Sequence, residues 1–221
     1  IVEHPLADWE SLANYKPPDF LTKGEYGNQN WDEIEKEIRI RKAEDLHTIG
    51  AGGELFTRFY FLRGFENLMI DIATDDPNLP LLIEMITEYE MGLVGKWLEL
   101  GVDIMSFHTD IGAQNGLMIH PDKFRKYFKP MFAKLFAICG EAGVRVFLSS
   151  DGRVIEIVDD LVEIGVSMHD PQVRPNTIEE ISQHYTGRIC ATVDLDQQQI
   201  LPFGTTDEVD NHVREIVDRL N

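Results

Sequence analysis

Four short apolar runs in this chain each end on residues able to move protons or hold an ion. After Val102-Asp103-Ile104-Met105-Ser106-Phe107 come His108, Thr109, Asp110, Gly112, Gln114 and Asn115. After Val144-Arg145-Val146-Phe147-Leu148 come Ser149, Ser150, Asp151, Gly152 and Arg153. Val166-Ser167-Met168 leads to His169 and Asp170, and Ile189 to Val193 leads to Asp194, Asp196 and Gln197. Acids gathered round one opening raise one another's pKa, which suits a general acid or a metal site. Aspartate also caps helices and stiffens turns, so each of Asp110, Asp151, Asp170, Asp194 and Asp196 carries a structural reading beside the chemical one.

His108 with Asp110, or His169 with Asp170 and Asp151, offers nitrogen and oxygen ligands of the kind zinc accepts. The chain has no His-x-x-x-His and no Cys-x-x-Cys, so spacing alone does not define a metal centre. Nucleophilic catalysis has less support. Ser149 and Ser150 lack a Gly-x-Ser-x-Gly elbow, and no cysteine follows a strand.

The elements that must carry these residues alternate regularly. A charged helix is predicted from Trp31 to about Asp45, and Thr48-Ile49 reads as a short strand running into a glycine turn at Gly50-Ala51-Gly52-Gly53. Phe56 to Ala73 reads as one or two helices broken near Gly64. Pro77 to Gly101 reads as a long helix with Asp76 as its N-cap. Pro121 opens the next helix at the position that best tolerates proline. There Phe124, Phe128, Met131, Phe132, Leu135, Phe136 and Cys139 fall at helical spacing, which predicts one buried face. Val154 to Ile164 is a further helix, and Thr177 with Glu180 and Thr205 with Glu208 form capping boxes for two more. Strand and helix in turn call for a parallel sheet covered by helices, either doubly wound or a (β/α)8 barrel. Both architectures bind ligands at the C-terminal ends of the strands. No Gly-x-Gly-x-x-Gly follows a strand and no P-loop occurs, so nucleotide binding has no support.

Composition narrows the function classes. The 221 residues suit a single α/β domain spanning 1–221, with 43% apolar and 27% charged residues. The formal charge of −19, from 39 acids against 20 bases, opposes nucleic-acid binding and reads as a solvated acidic surface or the mark of a cationic partner. No apolar run approaches a bilayer span, and Ile1-Val2-Glu3-His4-Pro5 has no leader character. Cys139 and Cys190, each in an apolar stretch, read as buried free thiols, and the expected location is cytoplasmic.

Taken together, several segments resemble the uroporphyrinogen decarboxylase superfamily. They are Phe61-Leu62-Arg63-Gly64-Phe65-Glu66-Asn67-Leu68, Thr109-Asp110-Ile111-Gly112-Ala113-Gln114-Asn115-Gly116-Leu117-Met118-Ile119, Ser149-Ser150-Asp151-Gly152, Val193-Asp194-Leu195-Asp196-Gln197 and Leu201-Pro202-Phe203-Gly204-Thr205. The resemblance runs in one order from His4 to Asn221 and implies a (β/α)8 TIM barrel. About five of the eight βα units of such a barrel are countable, so the chain reads as a partial barrel lacking N-terminal units.

The superfamily includes cofactor-free decarboxylases and methyltransferases that use a corrinoid and commonly zinc. By resemblance Tyr60 matches the decarboxylase tyrosine, and Thr109 or Asp110 falls near its hydroxyl residue. In methyltransferases the segment matched by Ser149-Ser150-Asp151-Gly152 supplies a histidine and a cysteine to zinc. Ser149 and Asp151 occupy those places here, so two of the expected zinc ligands are missing. By the family label, the first expectation is a decarboxylase-type lyase acting on a tetrapyrrole carboxylate. The alternative is a corrinoid-dependent methyltransferase or O-demethylase component, which would meet a methylated substrate and a corrinoid protein. A third reading is a barrel that has lost its catalysis. The catalytic candidates are Asp110, Asp151 and Tyr60, and the substrate-binding candidates are Thr109, Gln114, Ser149, Arg153, His169 and Asp194. Asp110, Asp151 and His169 are the metal candidates, and a homodimer is expected from the family habit.

Overall fold

The structure, a computed structural model, describes residues 3–24 and 27–220. Ile1 and Val2, part of the N-terminal reading, and Asn221, the end of the resemblance, lie outside the described residues. Five parallel strands form the main sheet: β1 (Ile49–Glu54), β2 (Ile104–His108), β3 (Arg145–Ser150), β4 (Val166–Pro171) and β5 (Cys190–Ala191). Their order in space is their order in the chain, with no reversal. A doubly wound sheet must reverse at a switch point, so this order is that of a barrel arc. Eight helices are labelled here: α1 (Trp31–Ala43), α2 (Phe56–Arg63), α3 (Phe65–Thr74), α4 (Leu79–Glu99), α5 (Lys129–Glu141), α6 (Val158–Glu163), α7 (Ile178–Tyr185) and α8 (Thr206–Leu220).

One face of the sheet is buried beneath the helices and the other is far more open. Met105, Phe107, Val146, Leu148 and His169 point into the helical layer. Ala51, Ser106, Phe147 and Met168 are paired across neighbouring strands and form a row on the opposite face, which a closed barrel would turn inward. Ile49, at the foot of β1, is 59% exposed.

β1 corrects the sequence reading. The glycines expected to form a turn lie within the strand, because their missing side chains make room for the core. A Cβ on Gly50 would stand 2.6 Å from the Met105 sulfur and 3.0 Å from the Trp97 ring. On Gly52 it would stand 2.3 Å from the Phe107 ring. The N-cap of α4 is Asn78 rather than Asp76, whose carboxylate instead accepts from the Asn78 N–H at 2.8 Å.

The helix opened by Pro121 has a π turn over Phe124–Phe128 just before α5. Pro130, in the first turn of α5, has no N–H and crowds the carbonyl four residues back, and a widened turn relieves both. The aromatic stripe is buried as its spacing predicts. Cys139 is buried, but Cys190 is exposed, since β5 is only two residues long and nothing described covers it. Among the described residues no helix is long and apolar enough to cross a membrane.

The segment His4 to Trp9 is clasped by one arginine. Arg63, 7% exposed, donates to Asp71 at 2.8 Å, to the Leu6 carbonyl at 3.0 Å and to the Ala7 carbonyl. Its guanidinium also lies 4.3 Å from the Trp9 ring centre. Arg63 within the Phe61-Leu62-Arg63-Gly64 motif is thus a structural anchor.

Candidate active site at the C-terminal ends of the strands

At their C-terminal ends β1 to β4 bring Glu54, His108, Ser149 and Asp170 into one cross-strand register. The loops beyond add Asp110, Asp151 and Asp194. Ser149 Oγ donates to Asp170 at 2.8 Å, and the Ser150 N–H donates to the same carboxylate at 3.2 Å. The Asp151 N–H donates to Asp110 at 3.1 Å, tying two loops through one carboxylate.

The Asp151 turn is held from both sides. Gln172 Nε2 donates to Asp151 Oδ1 at 2.6 Å while its Oε1 accepts from the Gly152 N–H at 2.9 Å. Asn176, fully buried, accepts from the Val154 N–H and donates to the Gly152 carbonyl, both at 2.9 Å. Across the top lies a small hairpin, Gly112–Ala113 paired with Gly116–Leu117. It rests on the turn through two glycines. A Cβ on Gly112 would come within 2.5 Å of the Asp151 carbonyl oxygen, and one on Gly152 within 2.3 Å of the Gly112 carbonyl carbon. Gly152 also needs its left-handed φ of 79°.

Charge at this mouth is unbalanced. Arg153 is spent on Glu180, donating at 2.6 and 2.8 Å, and Arg174 on Asp196 at 2.8 Å. Arg58 pairs with the buried Glu90 at 2.6 Å. Among the described residues no Lys, Arg or His forms an ion pair with Asp110, Asp151, Asp170 or Asp194. Partial burial pushes the Asp151 carboxyl above its ordinary value, and Asp110 and Asp194 add to the rise. Burial also raises Asp170, against the hydrogen bonds from Ser149 and Ser150 and with a further push from Asp194. For Asp196 burial acts upward, but the Gln198 and Gln199 amides and Arg174 outweigh it and hold the carboxyl low. Burial chiefly raises the pKa of Tyr60, on α2, and the Asp110 and Glu54 charges add smaller pushes.

The predicted site residues therefore divide. Hydrogen bonds link Ser149 to Asp170 and tie Asp110 and Asp151 to the same loops, Asp194 lines a cavity with Gln172, and Tyr60 packs among Phe56, Phe61 and Phe65 on α2 and α3. Thr109 sits between His108 and Asp110, 1% exposed, and its hydroxyl has no partner among the described residues. Gln114 is exposed at the tip of the hairpin. Arg153 braces α7 rather than facing open space. His169 is the clearest departure, for β4 runs through Pro171 and strand alternation turns its side chain to the helical layer. There it is fully buried, with Nδ1 2.7 Å from the Tyr185 hydroxyl, and burial lowers its pKa to about 4.

His169 is thus no companion to Asp110 and Asp151, and among the described residues no three His, Cys, Asp or Glu side chains stand close enough to hold a metal ion. The residues present do not fit a zinc centre. Gln172 and Asn176, which set the Asp151 turn, went unread in the sequence, although two amides just past a strand are a usable signal. A cavity of about 50 Å³ opens between Gln172, Arg174, Asp194 and Asp196. A larger hollow of about 560 Å³ lies at the opposite end, among Lys42, His47, Asp103 and Arg145, where barrel residues serve stability.

The class these features define is a (β/α)-barrel arc with an acidic candidate site at its mouth. The chain is similar in fold to a methyltransferase from Methanosarcina mazei, with a TM-score of 0.74 and 18% identity. The likeness covers 98% of this chain and 62% of that one, so the chain spans less than two thirds of the solved protein's length. No protein-family model and no curated protein matches the sequence.

Proposed function

We propose that the chain is the barrel portion of a methyltransferase that moves a methyl group between a small methylated donor and a corrinoid. The fold likeness to a methyltransferase supports this reading. The observation that carries it is the state of the charges at the mouth. A tetrapyrrole polycarboxylate needs arginine or lysine partners. Here Arg153 and Arg174 are already paired while Asp110, Asp151, Asp170 and Asp194 have no cationic partner among the described residues. Four carboxylates without counter-charge repel such a substrate and suit a neutral or cationic donor.

In this reading Asp151, fixed by Gln172, and Asp110 orient the donor. Ser149 is held by Asp170 and serves the donor through that pair. A corrinoid held by a separate protein would supply the methyl acceptor, and Asp110 and Asp151 would present the donor to it.

Titrating the full chain with cobalamin and, separately, with coproporphyrinogen tests the choice. Saturable cobalamin binding with no porphyrinogen binding is expected. Porphyrinogen binding that weakens in Asp151→Ala would return the site to the decarboxylase type.

A further inference from the structure

Hydrogen-bond acceptors crowd the strand ends, and one imidazole stands among them. Phe107, Leu148 and His169 are fully buried on adjacent strands. Strand alternation turns the residue after each of them, His108, Ser149 and Asp170, to the concave face. These three are paired in register, His108 with Ser149 and Ser149 with Asp170, and Glu54 on β1 is paired with His108. Neighbouring strands lie about 5 Å apart, so His108 leaves its strand directly beside Ser149.

The groups around it are held as acceptors. Ser149 Oγ donates its proton to Asp170 at 2.8 Å, which leaves it lone pairs to offer. Asp170 accepts again from the Ser150 N–H at 3.2 Å, and Asp151 accepts from Gln172 at 2.6 Å. Arg153 and Arg174 are bound to Glu180 and Asp196. The His108 imidazole is exposed and makes no hydrogen bond or ion pair with any described residue. Imidazole is the side chain suited to exchanging protons near neutral pH, and contact with solvent lets it recharge.

Resting on the reading of the mouth as a methyl-donor site, we infer that His108 is the general acid of the reaction, giving its proton to the leaving atom of the donor. The methyl carbon bonds to the acceptor's electron pair, and the pair of the broken bond stays on the leaving atom. The proton from His108 neutralises that atom, and solvent returns a proton to the imidazole. The role assigns a donor class, one whose leaving group departs as an anion basic enough to need the proton.

Methyl transfer to reduced cobalamin from anisole and from 4-nitroanisole, in the full chain and in His108→Gln, tests the role. Anisole releases the more basic phenolate. Loss of the acid should therefore slow anisole about a hundredfold and 4-nitroanisole several-fold. Added imidazole should restore part of the anisole rate to His108→Ala. A structural role would slow both ethers alike and would not respond to imidazole. Equal losses for the two ethers, or none, overturn the inference and leave the methyltransferase reading standing. A second readout needs no acceptor. In the imidazole NMR spectrum, the signal missing from His108→Gln is expected to shift when phenol, the leaving product, is added to the parent chain. If phenol leaves that signal in place, His108 does not meet the leaving atom and the inference falls. A shift without transfer from any donor would remove the methyltransferase reading and the acid role with it, leaving His108 as a contact of the bound phenol.

Discussion

Replacing Asp151 with asparagine removes a charge but can keep the Gln172 contact, since an amide oxygen still accepts from Nε2. Activity in Asp151→Asn is expected to fall at least tenfold in steady-state methyl transfer, with the fold intact by circular dichroism. Stability should move the other way. Asp151 has a raised pKa in the folded protein, so its ionisation costs stability as pH climbs from the ordinary aspartate range through the raised value. At pH 7 the asparagine variant should therefore unfold at higher denaturant than the parent, and at pH 3 the gap should close.

His169 has the opposite sign. With a folded pKa of about 4 and an unfolded value near 6.5, it contributes stability in full above about pH 6.5, lost as pH falls toward 4. The loss between pH 7 and pH 4.5 should be about 2 kcal/mol in urea titrations. It should largely vanish in His169→Phe/Tyr185→Phe, which removes both hydrogen-bonding partners together. The sequence shows the aspartates past each apolar run plainly, because strand ends are where such residues collect. It does not show His169 turning away, since that depends on β4 continuing three residues past Met168, a matter of pairing with β3 rather than of local pattern.

At the scale of elements, β1 is set by glycines that exist for their neighbours. Gly52→Ala should cost about 1–3 kcal/mol in chemical denaturation, because the added methyl meets the Phe107 ring and forces an overpacked core to shift. A smaller loss would mean that Phe107 can swing aside. Arg63→Ala should cost more, about 3–5 kcal/mol, since it leaves Asp71 buried without its cation and releases Leu6 and Ala7. The same variant should expose the bond after Ala7 to limited proteolysis.

The long helices were legible through periodicity, and the capping boxes appear where they were read: Thr177 Oγ1 accepts from the Glu180 N–H at 3.2 Å, and Thr205 Oγ1 from Glu208 at 3.3 Å. The glycine strand was not legible. Gly50-Ala51-Gly52-Gly53 has the composition of a turn, and only the bulk of Trp97, Met105 and Phe107 against it makes a strand. The π turn before α5 was likewise hidden, although Pro130 was its signal.

At the scale of the whole molecule, five strands in chain order place every loop after a strand on one side, which is why residues scattered from 54 to 194 share one mouth. The alternation of elements left a barrel and a doubly wound sheet equally open, and only the pairing of each strand with its successor separates them. The open inner face has a direct readout in Cys190, exposed and in register with Met168. A disulfide reagent should modify one thiol rapidly in the folded chain and the second, Cys139, only after denaturation, because burial pushes the latter's pKa up to about 12. Protection of both would mean that this face is covered in solution.

The claim that this acidic mouth serves methyl transfer is tested most directly by following the visible spectrum of reduced cobalamin with the full chain and a panel of methylated amines and ethers. Conversion to the methylated corrinoid, dependent on donor and lost in Asp151→Asn, is the expected result. No spectral change with any donor, together with carbon dioxide release from a porphyrinogen, would contradict it.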